Sequence, residues 1–332
     1  MIPTLLGATL LIFAVTQLFD PISRAALYIT NVQQFTPENT NEIIARYGLN
    51  DPAYMQFSRW FSEVLKGNLG FSRSGRAPVV EAILSKIPAT VELVMYCSPF
   101  IVLIGIFLGV KSAVHRDKPI DHITRGVSIM GSSLPSFWLG IVLLSVFYVG
   151  FHVCPPGRLG GTADLYVMSD AFTRYTGINT IDALLNGKIW IFLDAIEHLI
   201  LPVVVLSTIQ IAYIVRVMRS SMLEALNKGY ITMARAKGLP QKAVINKHAR
   251  KNALIPTITL SGILIAGMLN GVIITETVFG FNGVGRWSAN AALSMDIAAV
   301  LGFALFAGIV FVTANLLVDI LYAYVDPRIR LA

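Results

Sequence analysis

The sequence predicts an all-α integral membrane protein: six transmembrane helices, both termini cytoplasmic, and a large external segment between helices 1 and 2. Three observations carry that reading. Of 332 residues, 55% are hydrophobic and only 14% charged, against about 25% charged in soluble domains, and mean hydropathy is +0.67. Six apolar runs are long enough to cross the ~30 Å hydrocarbon core, which takes roughly 20 helical residues. Lys and Arg gather in alternate loops, as they do on the cytoplasmic side of membrane proteins.

The first run, Ile2–Phe19, carries no charge and is followed by Asp20-Pro21 rather than a small-residue cleavage site, so it reads as a span and not a removable leader. Residues 20–89 are polar with mixed charge and contain helix-like pieces, Asn39–Tyr47 and Tyr54–Leu65; they read as the external segment. The second span is Thr90–Val110. Residues 111–122 set Lys111, Arg116 and Lys118 against Asp117 and Asp121, which places this loop inside. The third span is Ile123–Phe151. Residues 152–196 return outside, where Pro155-Pro156-Gly157 and Gly160-Gly161 interrupt regular structure. The fourth span, Glu197–Met218, leads to a basic loop over 219–253, and the fifth is Leu254–Ile274. An external turn, 276–296, holds the glycine-rich run Phe279 to Arg286. The sixth span, Ile297–Val325, ends in a basic cytoplasmic tail, Asp326 to Arg330. The whole chain, 1–332, reads as one transmembrane domain. Two GxxxG pairs, Gly105/Gly109 and Gly267/Gly271, read as close helix packing.

The 219–253 loop sets Arg219, Lys228, Arg235, Lys237, Lys242, Lys247, Arg250 and Lys251 against one acid, Glu224. Charge-free runs bracket it, Leu199–Val215 and Leu254–Ile274. Met222 to Ala236 reads as helix, stopped by Gly238 and Pro240. Pro240 donates no backbone hydrogen bond and disfavours helical geometry at Leu239. A second helical run, Lys242 to Asn252, leads into the fifth span. The pattern predicts a compact knob at the cytoplasmic face, suited to docking in a cleft on another protein.

The chain has no evident chemistry of its own. There is no GxxxxGK[ST] phosphate loop, since Gly109-Val110-Lys111-Ser112 lacks the Gly–Lys adjacency, and no HExxH or GxSxG motif. The reading is therefore not an enzyme, with no metal and no cofactor bound by this chain. The five histidines are scattered, and His152 with Cys154 is too sparse for a metal site. Two cysteines make no disulfide framework. The net charge of +7 is accounted for by topology, not by nucleic-acid binding. Glu92 and Asp319 are the acids well inside spans, where interfacial or structural roles stand beside a translocation role.

Tyr230-Ile-Thr-Met-Ala234-Arg-Ala-Lys-Gly238-Leu-Pro240 and His248-Ala-Arg-Lys-Asn252-Ala-Leu-Ile-Pro256 resemble the coupling loop of ABC-importer permeases. Within that group the chain is similar to the dipeptide/oligopeptide/nickel permease family, B-type subunit. Further matches are Tyr47 to Pro52, Gly67 to Ser72, Ile87 to Leu93, Ser133 to Gly140, Glu276 to Phe279, Asp319, and Tyr324 to Arg328. The resemblance implies a permease subunit that forms, with a second homologous permease, the translocation path for di- or oligopeptides. It further implies one or two cytoplasmic ATPase subunits that use ATP and Mg, an external substrate-binding protein, and a multi-pass place in the inner membrane. Nickel, glutathione or short oligosaccharides are alternative substrates; a self-powered secondary carrier is the alternative of another class. The implied ATPase-coupling residues are Glu224, Tyr230, Ala234, Arg235, Ala236, Lys237, Gly238, Leu239, Pro240, His248 and Asn252. Ser133, Pro135 and Trp138, which would bend the third span, and Asn270, Thr275 and Asn315 are positions that either line the path or hydrogen-bond between helices. Gly283, Gly285 and Arg286 mark the external loop. The chain departs from the family pattern there: Asn282-Gly283-Val284-Gly285 stands for Pro-Gly-Leu-Gly, and Asp296-Ile297-Ala298 for Asp-Tyr-Pro. No basic stretch precedes the first span.

Overall fold

A computed structural model describes residues 2–29 and 36–325; the tail from Asp326 to Arg330 and the side chain of Asp319 lie outside the described residues. In chain order the helices are α1 (Ile2–Thr16), α2 (Pro21–Ala25), α3 (Pro37–Tyr47), α4 (Ala53–Leu65), α5 (Val79–Val114), α6 (Pro119–Ser133), α7 (Ser136–Leu143), α8 (Gly161–Val167) and α9 (Asn179–Leu185). There follow α10 (Ile189–Leu226), α11 (Gly229–Ala236), α12 (Gln241–Ala243), α13 (Arg250–Leu269), α14 (Ile273–Val278), α15 (Val284–Leu293) and α16 (Ile297–Val325). Wider π-type turns extend α7 over Leu144–Gly150 and join α12 to α13 over Val244–Ala249. A two-residue antiparallel pair, β1 (Phe71–Ser72) with β2 (Ala77–Pro78), closes a hairpin.

Four helical stretches among the described residues are long and apolar enough to cross a membrane: Val79–Val114, Ile189–Leu226, Gln241–Leu269 and Ile297–Val318. The third predicted span is instead a bent pair, α6 and Ser136–Gly150, with an angle of 96° between its halves. Pro135 is the cause: it pushes Leu134 out of the helical region, to φ −80° and ψ 128°, as a proline does to the residue before it. Helix α1 has 15 residues, about 22 Å at 1.5 Å per residue, and stops at Thr16, short of the predicted Phe19.

Two other boundaries differ from the sequence reading. Helix α10 starts at Ile189, eight residues before Glu197, because Asp194 and Glu197 are not loop markers. Each accepts a backbone N–H inside the fold, from Gly160 at 2.8 Å and Cys154 at 3.2 Å. The fifth span ends at Leu269, not Ile274. Gly271 takes φ +101°, and a Cβ there would lie 2.4 Å from the Gly285 Cα, so the chain turns out of the helix where two backbones touch. Gly267 has open space where a Cβ would be; Gly267/Gly271 is therefore not a helix-packing pair.

The chain divides into two compact units. The first comprises Met1–Thr90, Asn270–Thr277 and Phe281–Thr313. Its core joins Phe13 of α1 and Trp60 of α4 to Val284 and Trp287 of α15 and Ala298 of α16. The 20–89 segment thus shares its apolar interior with the later turn. Buried Arg24 donates to Gln17, to Gln56 and to the carbonyl of Leu49, at 2.6–3.1 Å. At the end of α4, hydrogen bonds from Lys66 and then Asn68 hold the Glu63 carboxyl below its ordinary value. Asp296 is buried at the start of α16 and accepts from the Ser72 and Ser74 hydroxyls and the Ser74 N–H, at 2.8–2.9 Å.

The second unit comprises Val91–Leu269, Val278–Gly280 and Ala314–Ala332. Helix α10 is its axis, in contact with α6, α7, α9 and α13. Gly105 and Gly109 allow α5 to approach it closely, since Cβ atoms there would fall 2.4 Å from Ile214 and 2.6 Å from Met218. This GxxxG pair does pack helices. Glu92, near the start of the unit, is fully buried. It accepts two hydrogen bonds from Arg158, the shorter 2.6 Å, and two from the N–H and hydroxyl of Thr180. One carboxylate therefore fastens the 152–196 segment to α5. Glu92→Ala is expected to cost about 3 kcal/mol, the low end for breaking a buried pair, because the Arg158 side chain keeps 19% exposure. Faster tryptic cleavage at Arg174 and a lower unfolding temperature in detergent would register it; unchanged values for both would refute the fastening role.

Candidate functional site

The 219–253 loop is built on the C-terminal end of α10. That helix runs to Leu226, then breaks at Asn227-Lys228, so the predicted continuous helix to Ala236 is two pieces. Helix α11 presses Ile231 and Ala234 into a core made by Met218, Met222 and Ala225 of α10, Val244, Ala249, Ala253 and Ala113 of α5. Its other side faces out. Tyr230 is 41% exposed, Met233 62% and Leu239 39%, beside exposed Arg235, Ala236 and Lys237. Apolar and aromatic groups held on a short, well-anchored helix among cations have the composition of a protein-docking surface.

Gly238 ends α11 for a geometric reason. Its N–H donates to the Arg235 carbonyl at 2.9 Å, and the Leu239 N–H donates to the Ala234 carbonyl at 3.3 Å. This is the Schellman pattern, which needs a left-handed residue after the helix; Gly238 has φ +73°, and a Cβ there would meet nothing within 4 Å. Pro240 then starts the next helical run at Gln241. His248 lies in the wide turn before α13, and the Asn252 amide donates to its carbonyl at 3.0 Å. Glu224 and Lys228 form an exposed pair at 2.8 Å, which water and salt screen.

Beneath the loop lies a contact that the sequence does not announce. Asp121, fully buried in the first turn of α6, receives a two-pronged bond from Arg219 of α10, both arms 2.7 Å. The Ser112 hydroxyl of α5 and the Asp117 N–H complete its shell. Three helices meet at one carboxylate, directly under the knob. The available signal is charge: Asp121 lies among bases in 111–122, and Arg219 closely follows the apolar run of α10.

The external-loop residues also gather around a buried acid. Glu276 accepts from the Thr90 hydroxyl and the Arg286 N–H, both at 2.7 Å, and Thr90 in turn accepts from the Val284 N–H at 3.0 Å. The carboxylate thereby serves the free N–H groups at the start of α15, where negative charge is favoured. A Cβ on Gly283 would lie 2.4 Å from the Glu276 carboxyl, and one on Gly285 2.9 Å from Gly271. Glycine is required here by space.

Of the remaining positions, Ser133, Pro135 and Trp138 share the bend between α6 and α7; the Ser133 hydroxyl donates to the Ile129 carbonyl at 2.8 Å, and Trp138 is exposed. Asn270 and Thr275 flank the Gly271 turn. Thr275 is buried, and the Asn270 side-chain oxygen is buried without a partner among the described residues. Asn315 lies apart from these in sequence, half-buried on α16.

Residues 101–331 match the family described as "Binding-protein-dependent transport system inner membrane component". The chain is 38% identical over 331 residues to the dipeptide transport system permease protein DppB of Escherichia coli (strain K12), covering 99% of this chain and 96% of that protein. It is 42% identical over 283 residues to the probable D,D-dipeptide transport system permease protein DdpB of the same strain, covering 85% and 82%. It is 38% identical over 333 residues to the di/tripeptide transport system permease protein DppB of Pseudomonas aeruginosa (strain UCBPP-PA14), covering 99% and 96%.

The Asp121–Arg219 contact makes a two-sided prediction. Arg219→Met strands a buried carboxylate and is expected to destabilise by about 3–5 kcal/mol, whereas the double change Arg219→Met with Asp121→Leu should regain most of that loss. Thermal unfolding of the three proteins in one detergent measures it; a double variant no better than the single would disprove the pairing.

Proposed function

The chain belongs to the family of binding-protein-dependent transport system inner membrane components, and on that premise we propose that it is the peptide-conducting permease subunit of an ATP-binding-cassette importer. It is a multi-pass protein of the inner membrane. The observation that carries the substrate class is likeness along nearly the whole chain to permeases named for dipeptides and di/tripeptides. The path is shared with a second, homologous permease, and an external binding protein delivers the peptide. ATP and Mg are used by one or two separate ATPase subunits and not by this chain.

In this reading the membrane is crossed six times, by α1, α5, the bent α6–α7 pair, α10, α13 and α16, with both termini inside. The basic loops 111–122 and 219–253 then share the cytoplasmic face. The ATPase docks on α11 and the turn after it, with Tyr230, Met233, Arg235, Lys237 and Leu239 as contacts. Ala234 holds α11 to the membrane part from below, while Ala236, Pro240, Glu224, His248 and Asn252 shape the knob. What supports this is a helix firmly buried on one side and presenting Tyr230 and Met233 among cations on the other. Movement of the ATPase would pass through α11 to Met218 and Met222 of α10, whose packing leaves no slack. Polar groups at the 134–135 bend, with Asn270, Thr275 and Asn315, are the candidates to meet the peptide backbone.

The test is reconstitution of the full importer in proteoliposomes, with uptake of a labelled dipeptide measured against ATP hydrolysis. Gly238→Val imposes left-handed geometry on a β-branched residue, which such residues resist. It is expected to cut uptake at least about tenfold, the effect of ~1.4 kcal/mol, while ATP hydrolysis and membrane insertion persist. Normal coupled uptake in that variant would remove the loop from the mechanism. A native importer that hydrolyses ATP yet takes up no di- or tripeptide would remove the substrate class.

A further inference from the structure

A cleft of about 550 Å³ lies between α6 and α10, and its polar lining is Arg125, Ser128 and Ser132 from α6 with Arg216, Arg219 and Ser220 from α10. The spacing 125, 128, 132 puts one arginine and two serines on a single helical face. Two of the three guanidinium groups lack an acid. Arg219 is committed to Asp121, whose carboxylate is already saturated by Ser112 and the Asp117 N–H. Among the described residues, neither Arg125 nor Arg216 forms an ion pair; Arg216 has only the face of Tyr213, 5.5 Å away. The cleft therefore carries two uncompensated positive charges and three hydroxyls.

Its depth in the membrane follows from the sequence of α10. The charge-free run Leu199–Val215 ends immediately before Arg216, so the guanidinium groups stand where hydrocarbon gives way to headgroups. Ile129 lines the cleft and is exposed, Val127 and Met130 are exposed apolar groups on the neighbouring face of α6, and Val215 is buried behind Arg216. The site thus sets cations beside exposed apolar side chains. Planar guanidinium forks bind oxyanions in two-pronged fashion, and basic pockets between membrane helices suit anionic headgroups.

We propose that this cleft binds one anionic phospholipid, its phosphodiester held by Arg125 and Arg216 with Ser128 and Ser220 as further donors, and its acyl chain lying along the exposed side chain of Ile129; the Ser132 hydroxyl is committed to the Ile129 carbonyl. Free phosphate and a peptide carboxylate share the oxyanion chemistry but lack the apolar tail that the exposed apolar side chains of α6 accept. A lipid there bridges α6 and α10 beside the Asp121–Arg219 contact, and so braces α10, which carries the knob, against α6.

Native mass spectrometry of the full-length chain in detergent tests it, titrating phosphatidylglycerol against phosphatidylethanolamine of the same acyl chains. One phosphatidylglycerol should be retained at least about tenfold more tightly, and Arg125→Gln with Arg216→Gln should lower that affinity roughly thirtyfold, the effect of two juxtamembrane cations. Arg125→Lys with Arg216→Lys, which keeps the charge and loses the fork, should lie between. Arg235→Gln with Lys237→Gln removes equal charge from the proposed ATPase-docking face and should leave lipid affinity unchanged. Equal retention of both lipids by the unaltered protein, a test that needs no variant, would overturn the proposal. So would equal loss in the Arg235/Lys237 control, or displacement of the lipid by millimolar inorganic phosphate or dipeptide.

Discussion

A carboxylate taken out of water survives only if donors replace its hydration, and this fold is organised by four buried carboxylates that meet the condition with donors from distant segments. Glu92, Asp121, Glu276 and Asp296 are all buried, and each collects its donors from segments far along the chain. Asp121 reaches 98 residues to Arg219, Thr90 reaches 186 to Glu276, and Ser72 reaches 224 to Asp296. Apolar contact alone does not fix how one membrane helix sits against another, because lipid is as oily as a leucine side chain. A saturated ionic contact does fix it, since a shifted helix leaves a buried charge unpaired. Each unit thus acquires a defined arrangement of helices from a few polar points.

The placement of those points divides rigid from accessible parts of the 219–253 loop. Asp121 and Arg219 pin α10 to α5 and α6 below the loop, and the aliphatic core of Met218, Met222, Ile231, Ala234 and Val244 fills the space above them. What remains free is one face of α11 and the turn after it. A docking element needs this combination: a surface open to a partner, and a base that transmits displacement without absorbing it. Ala234 serves the base, since it is small enough for α11 to lie close on α10. The cations serve the open face.

Local pattern makes part of this legible. The predicted sixth span is readable to its ends, Ile297 and Val325, because no proline falls within it and Asp296 caps its start. The stop at Gly238 is readable because the helix-ending signal lies within three residues. Where sequence and structure part, the cause is shared. Asp194 and Glu197 look like loop residues in sequence, but their partners, Gly160 and Cys154, lie some 34 and 43 positions away. Apolar character continues through Gly271 to Ile274, but the fifth span's end is set by contact with Gly285. Asp121 and Arg219 are visible as charges, and their pairing is not. Hydrophobic periodicity reports which face of a helix is buried, and says nothing about which distant group a polar residue meets.

The two sets of glycines in the family motifs illustrate different demands on one residue type. At Gly238 the space is empty and the backbone is left-handed, so the requirement is conformational and any residue tolerating that geometry would partly serve; asparagine is the natural candidate. At Gly283 and Gly285 the backbone is compatible with any residue and the space is occupied, by the Glu276 carboxyl and by Gly271; no side chain serves there. The departures from the family pattern in this turn, Asn282 for proline and Val284 for leucine, fall beside the two glycines and leave both in place. Val284 is fully buried in the first unit's core, so exchanging one aliphatic group for another there changes packing volume and not the way the turn is held.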